Sequence, residues 1–123
     1  SKQKLHHWKC REVQRIVTDK AHRQGIRISR VCAWGTSALA YDGSGRVERD
    51  AKNYSMCTFA TGKRYQCDLS ATYNIGSRYY IREILKSLTV TSRLVTEAKV
   101  PACTKRSTCT YSTLINLNAV LAA

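Results

Sequence analysis

A single carboxylate stands among cations in the segment CDLSATYNIGSRYY, residues 67–80. Asp68 is the only acidic residue between Asp50 and Glu83, while Lys52, Lys63, Arg64, Arg78 and Arg82 crowd the same stretch. Three chemistries are open to it. At a strand-to-helix junction an Asp can cap the helix, accepting backbone N–H bonds at the positive end of the dipole. It can pair with a neighbouring cation. It can also ligate Mg2+, because a hard cation takes carboxylate oxygen and phosphate chemistry uses the cation. Two-metal phosphodiester cleavage draws several carboxylates together, and the rest of the eight acidic residues offer no evident companion motif.

Other side chains with ligand or contact chemistry are scattered. His6 and His7 precede Trp8 with only Cys10 nearby and read as an exposed helix start. Cys103 and Cys109 are spaced Cys-x5-Cys, which is not a standard zinc spacing, so a local disulfide and two free thiols both stay open. Arg46, Arg49, Lys52, Lys63 and Arg64 interleave with Tyr41, Tyr54 and Tyr65. Basic groups bind phosphate and release counterions, and aromatic rings stack on unpaired bases.

The elements that must position these residues can be read from periodicity. HHWKCREVQRIVTDKAHRQG carries Trp8, Val13, Ile16, Val17 and Ala21 at helical steps, with Gly25 as a stop. IRISRVCAW alternates and predicts a strand, a helix–Gly–strand order typical of α/β proteins. YDGSG is a turn signal, and YSMCTF and KRYQC predict short strands around the turn ATGK. DLSATYNIGSRYYIREILKSL predicts a helix with Leu69, Tyr73, Tyr80, Ile84 and Leu85 near one face and Gly76 at a close packing contact. TSRLVTEAKV predicts a short helix ended by Pro101, ACTKRSTC a loop, and STLINLNAVLA a last helix with Ser112 near its cap.

Composition limits the partners. Twenty-one Lys and Arg against eight Asp and Glu give +13 over 123 residues, which favours an anionic partner, nucleic acid before membrane surface. The 43% apolar content is that of a globular chain, room enough for one domain. No apolar run reaches the length of a membrane span, the start SKQKLHHW is not a signal peptide, and the first residue is not Met. The expectation is a cytoplasmic piece of something longer. The six cysteines are widely and irregularly spaced, which favours reduced thiols over a disulfide framework.

In order, Trp8, IVTDKAHRQGIRISRV, Thr36-Ser37, a turn-rich β insert with cysteine, and CDLSATYNI make a series. Over about residues 8 to 85 it resembles the C-terminal part of the RuvC-like nuclease of transposon-encoded OrfB/TnpB proteins and the related type V CRISPR effectors. The resemblance implies an α/β, partial RNase H-like (RuvC) fold with a small β-rich, degenerate zinc-finger-like insert. Its parts would be residues 1–34 as RuvC-like helix and strand, 35–66 as the nucleic-acid-binding insert, 67–88 as the helix with the last catalytic acid, and 89–123 as a helical extension.

The resemblance places Asp68 as the last of three catalytic acids, a ligand for Mg2+, with Ser70, Ala71, Thr72, Asn74 and Ile75 filling its motif. Lys20, Ala21, Gly25 and Ile26 match the helix-to-strand join. Thr36, Ser37, Arg46, Arg49, Lys52, Lys63 and Arg64 would contact nucleic acid at the insert, and Arg78 and Arg82 would line the same channel. Asn74 would orient groups near the site, or be a surface helix residue. The implied function is part of an RNA-guided, Mg2+-dependent DNA endonuclease whose partners are DNA, guide RNA and the remainder of the nuclease.

Two departures qualify this. The family's zinc-binding Cys pairs would fall on Ala40 and Gly43 and on Cys57 and Ala60, so no conventional zinc site is expected. An irregular site from Cys32, Cys57 and Cys67 ranks below buried thiols, and Tyr41, Tyr54, Phe59 and Tyr65 would supply the insert's bulk. The family's other two catalytic acids precede the start of this chain, and Glu12 and Asp19 do not match them. The rival readings are a nuclease-dead nucleic-acid-binding derivative and a secreted cationic disulfide-rich protein. The likeness of ATYNIGSRYYIREI to the Tyr-Asn helix of lytic transglycosylases ranks below both, because Glu12 lacks the context of a catalytic acid.

Overall fold

The computed structural model describes residues 2–123, with side chains from residue 8 onward; the side chains of His6 and His7 lie outside the described residues. Contacts divide the chain into two units, Ser1–Arg30 and Val31–Ala123.

In the first unit the expected helix forms as α1, Lys2–Arg23. Gly25, at φ 73°, turns the chain out of it. The apolar stripe of Trp8, Val13, Ile16 and Val17 is exposed. Arg15 pairs with Glu12 and, at 3.2 Å, with Asp19, so both acids of this helix are committed to a neighbour on the same face.

The second unit is mixed α and β. Its sheet has three short antiparallel strands in the order β1 (Glu48–Arg49), β2 (Met56–Thr58) and β3 (Arg64–Gln66). Cys57 lies opposite Tyr65, and Arg49 opposite Cys57. The hairpin between β2 and β3 closes where the Phe59 N–H donates to the Lys63 carbonyl and Gly62 adopts φ 90°. The YDGSG turn forms as its sequence demands. Gly43 and Gly45 take φ of 82° and 111°, Asp42 Oδ1 accepts from the Ser44 N–H, and Leu39 bridges Arg46. Ala40, Cys57, Phe59 and Cys67 form the core beneath this sheet, with Tyr41, Val47 and Tyr65 packed against it. Tyr54 is exposed and contributes nothing to that bulk, contrary to expectation.

Helix α2 (Cys67–Ser87) follows β3 without a break, and α3 (Val90–Lys99), two 3-10 turns (Pro101–Thr104, Arg106–Thr108) and α4 (Tyr111–Ala122) complete the unit. A second core of Ile81, Leu85, Val100, Cys103, Cys109 and Leu117 holds the C-terminal half of α2 against these elements. Thr89 caps α3 by accepting from the Ser92 N–H. The cap of α4 is Thr110, in a reciprocal box with Thr113, and Ser112 lies two residues beyond it. Ser112 packs so close to Gly43 that a Cβ there would lie 2.8 Å from its hydroxyl.

The strand expected within residues 26–34 does not form, and no parallel sheet follows α1 among the described residues. Its C-terminal part has a visible reason: the carbonyls of Cys32 and Trp34 accept from the Arg78 guanidinium rather than from a neighbouring strand. Gly76 also departs from expectation, since a Cβ added there meets nothing within 4 Å.

Candidate nucleic-acid interface

Helix α2 organises the unit through a face that hydrophobic periodicity does not find. Its buried residues are Cys67, Ser70, Asn74, Ser77, Arg78, Ile81 and Leu85, whereas Leu69, Tyr73 and Tyr80 of the expected apolar face are exposed. The first half of this stripe is polar because it hydrogen-bonds two loops. Ser70 Oγ accepts from the Tyr41 N–H at 3.2 Å. Asn74 is fully buried. Its Nδ2 donates to the carbonyls of Thr36 (3.0 Å) and Leu39 (2.8 Å), and its Oδ1 accepts from the Tyr111 N–H at 3.1 Å. One amide therefore ties the entry of the insert to the start of α4, and its role is to orient backbone rather than to decorate the surface.

Arg78 extends the same stripe. Its Nε donates to the Cys109 carbonyl at 2.9 Å, Nη1 to the Cys32 and Trp34 carbonyls, and Nη2 to the Ser107 carbonyl at 3.0 Å. With 5% of its surface exposed, Arg78 is a clamp between residues 32–34 and 107–109, not a lining residue of a nucleic-acid channel. Burial lowers its pKa. Thr36 is likewise withdrawn: it is buried, and its hydroxyl donates to the Ala33 carbonyl. Its neighbour Ser37 is exposed.

The remaining basic candidates lie at the surface. Arg46, Arg49, Lys52, Lys63 and Arg64 are exposed, and Arg82 is half-buried with its guanidinium 5.7 Å from the centre of the Tyr79 ring. Arg49 donates to the Tyr54 carbonyl, and Arg64 pairs with Asp50 at 2.7 Å. The Asp50 carboxyl is held below its ordinary pKa chiefly by the backbone N–H groups of Lys52 and Asn53. Lys63 Nζ donates to Tyr41 Oη at 2.8 Å, which raises its own pKa, and lies 5.4 Å and 5.0 Å from the Tyr41 and Tyr65 ring centres.

Asp68 is exposed at the second position of α2. The helix cap is Gln66, so Asp68 does not fill that role; it lies in the first turn, where the dipole favours an anion. Among the described residues its carboxylate makes no hydrogen bond or ion pair, and no three His, Cys, Asp or Glu side chains converge as a metal site. Asp68 alone is therefore one candidate ligand and not a magnesium site.

None of the six cysteines forms a disulfide among the described residues. Cys57 and Cys67 lie together in the core of the insert, and burial, aided by Cys67, pushes the Cys57 thiol up to about 11. Burial likewise pushes Cys109 up to about 11, and its Sγ faces the Ala102 and Lys105 carbonyls.

Sequence reasoning missed Tyr73 and Tyr111 as members of a ring cluster around Tyr41, with centres 5.2 Å and 6.2 Å from it. No local signal marks Tyr111, which reaches the cluster only because Asn74 and the Tyr41 carbonyl, which accepts from the Ser112 N–H, dock the start of α4 there. No protein-family model, curated protein or solved structure matches the chain. No helix among the described residues is long and apolar enough to cross a membrane.

Proposed function

We propose that the chain is the C-terminal portion of an RNA-guided, Mg2+-dependent DNA endonuclease of the RuvC-like kind found in transposon-encoded OrfB/TnpB proteins and type V CRISPR effectors. It would act in the cytoplasm with DNA, guide RNA and the remainder of the nuclease, whether in the same polypeptide or in a second chain. The observation that carries the reading is Asp68: an exposed carboxylate without a partner among the described residues, in the first turn of a long helix, within a chain of net charge +13. The order of α1, a β-rich insert and an Asp-bearing helix supports a RuvC-type arrangement, while the unformed strand at 26–34 weighs against a complete one.

In this reading Asp68 contributes one carboxylate, and the other metal ligands come from residues outside the chain. Bound magnesium would stabilise the attacking and leaving oxygens of the phosphodiester. The chain's own basic side chains hold the phosphate backbone. A nuclease-dead binding derivative is the second reading, favoured by the lack of converging carboxylates among the described residues. The described residues form no disulfide that would support a secreted disulfide framework.

Cleavage assays separate the readings. The purified chain with Mg2+ should leave DNA intact, and cleavage by it would contradict completion elsewhere. In a polypeptide or complex that supplies the other acids, Asp68→Ala should reduce cleavage by about 100-fold or more. Cleavage that survives this substitution would remove Asp68 from the reaction.

A further inference from the structure

Tyr41, Phe59, Tyr65, Tyr73 and Tyr111 form one continuous aromatic cluster with Lys63 at its margin. Tyr41 is the hub. It meets Phe59 edge-on at 5.6 Å and Tyr65 and Tyr73, tilted, at 5.0 Å and 5.2 Å, while Tyr73 and Tyr111 lie 5.3 Å apart. Only Phe59 is buried. Tyr41, Tyr65 and Tyr111 are partly exposed, and Tyr73 leaves 40% of its surface in solvent. A hydrophobic core would take Phe or Leu at these places. Tyrosines that stay half in water offer ring faces and hydroxyls to something outside.

Charge indicates what that something is. Lys63 brings a cation within 2.8 Å of the Tyr41 hydroxyl and over two of the rings, in a chain of net charge +13. The carboxylate that bears on Lys63 is Asp42, whose Oδ1 is engaged by the Ser44 N–H. Ring faces beside a cation suit a base and its phosphate together.

We infer that this cluster is a stacking platform for an unpaired nucleobase of single-stranded nucleic acid, with Tyr73 the contact face and Lys63 the phosphate contact. The inference rests on the proposed nucleic-acid function and assigns it a substrate form. A base paired within a duplex keeps its faces inside the stack, so the platform selects single strands.

The test uses the full chain and three fluorescent probes of equal length: oligo-dT, an abasic deoxyribose-phosphate oligomer, and a duplex. Oligo-dT should bind at least about fivefold more tightly than the abasic oligomer, the lower end of the range for one stacked base. Tyr73→Leu should abolish that preference without changing abasic binding, and Tyr73→Phe should keep it. Lys63→Ala should weaken oligo-dT and abasic binding alike and reduce the salt slope by about 0.7. Equal binding of oligo-dT and the abasic oligomer by the wild-type chain would overturn the platform while leaving phosphate binding intact. Failure to bind any probe at low salt would overturn both the platform and the nucleic-acid reading. A preference that survives Tyr73→Leu would overturn the assignment to this cluster.

Discussion

Arg78→Met tests the clamp at the centre of the larger unit. The guanidinium donates to four backbone carbonyls, those of Cys32, Trp34, Ser107 and Cys109, from a side chain that is 5% exposed. A hydrogen bond from a charged donor contributes about 1.5–3 kcal/mol net, so four at the low end give about 6 kcal/mol. Removing a buried cation also relieves its desolvation, which offsets about half of this sum and leaves a loss of about 3 kcal/mol. For a domain of this size that corresponds to a fall in Tm of roughly 12–24 °C. Thermal unfolding followed by circular dichroism reads it directly. Arg78→Lys keeps the charge but not the planar fork, and should recover less than about 1 kcal/mol of the loss. A Met variant within about 0.5 kcal/mol of wild type would refute the clamp, and full rescue by Lys would show that charge rather than geometry matters. Where the Met variant is folded, its affinity for oligo-dT should lie within about twofold of wild type, because Arg78 does not face the solvent.

Gly76→Ala should stabilise the chain by about 0.5–1 kcal/mol in urea unfolding, since the position is exposed, mid-helix and open around the added methyl. Asn74→Asp is nearly isosteric but points acceptors at the Thr36 and Leu39 carbonyls; it should cost about 3 kcal/mol at pH 7, with part of the loss recovered on acidification as the carboxyl protonates. Cys57 and Cys109 are raised from 9.0 to about 11, so the unfolded chain loses their protons first as pH rises. Their contribution is full below pH 9 and declines toward pH 11, and the stability gap between wild type and a Cys57→Ser, Cys109→Ser variant should narrow over that window.

The insert was legible because its information is local. Gly43, Gly45 and Gly62 supply the positive φ angles that its turns require, and short alternating segments lie beside them. Helix α2 was legible as a helix but not in its orientation. Periodicity weighs Leu69, Tyr73 and Tyr80, while the buried stripe is fixed by Ser70, Asn74 and Arg78 bonding to residues 29 to 46 positions away in sequence. The alternation of IRISRVCAW is a local strand signal defeated from afar, because Arg78 takes the carbonyls of Cys32 and Trp34. Of the candidate site, exposed basic residues such as Arg46, Lys52 and Lys63 could be found from charge, and Asp68 from its isolation. Arg78 could not be told from a surface arginine, since side-chain type does not encode burial. Tyr111 joins the ring cluster only through tertiary docking of α4.

The salt dependence of single-stranded DNA binding tests the central claim most directly. With phosphate contacts from Arg46, Arg49, Lys52, Lys63 and Arg82, five in all, the slope of log affinity against log salt should be about −3.5 for the wild-type chain. The measurement is fluorescence anisotropy with a labelled 20-nucleotide oligomer between about 50 and 200 mM salt. A slope of about −3 or steeper agrees with these basic side chains contacting phosphate. No binding at 50 mM salt, or a slope no steeper than about −1, would contradict it.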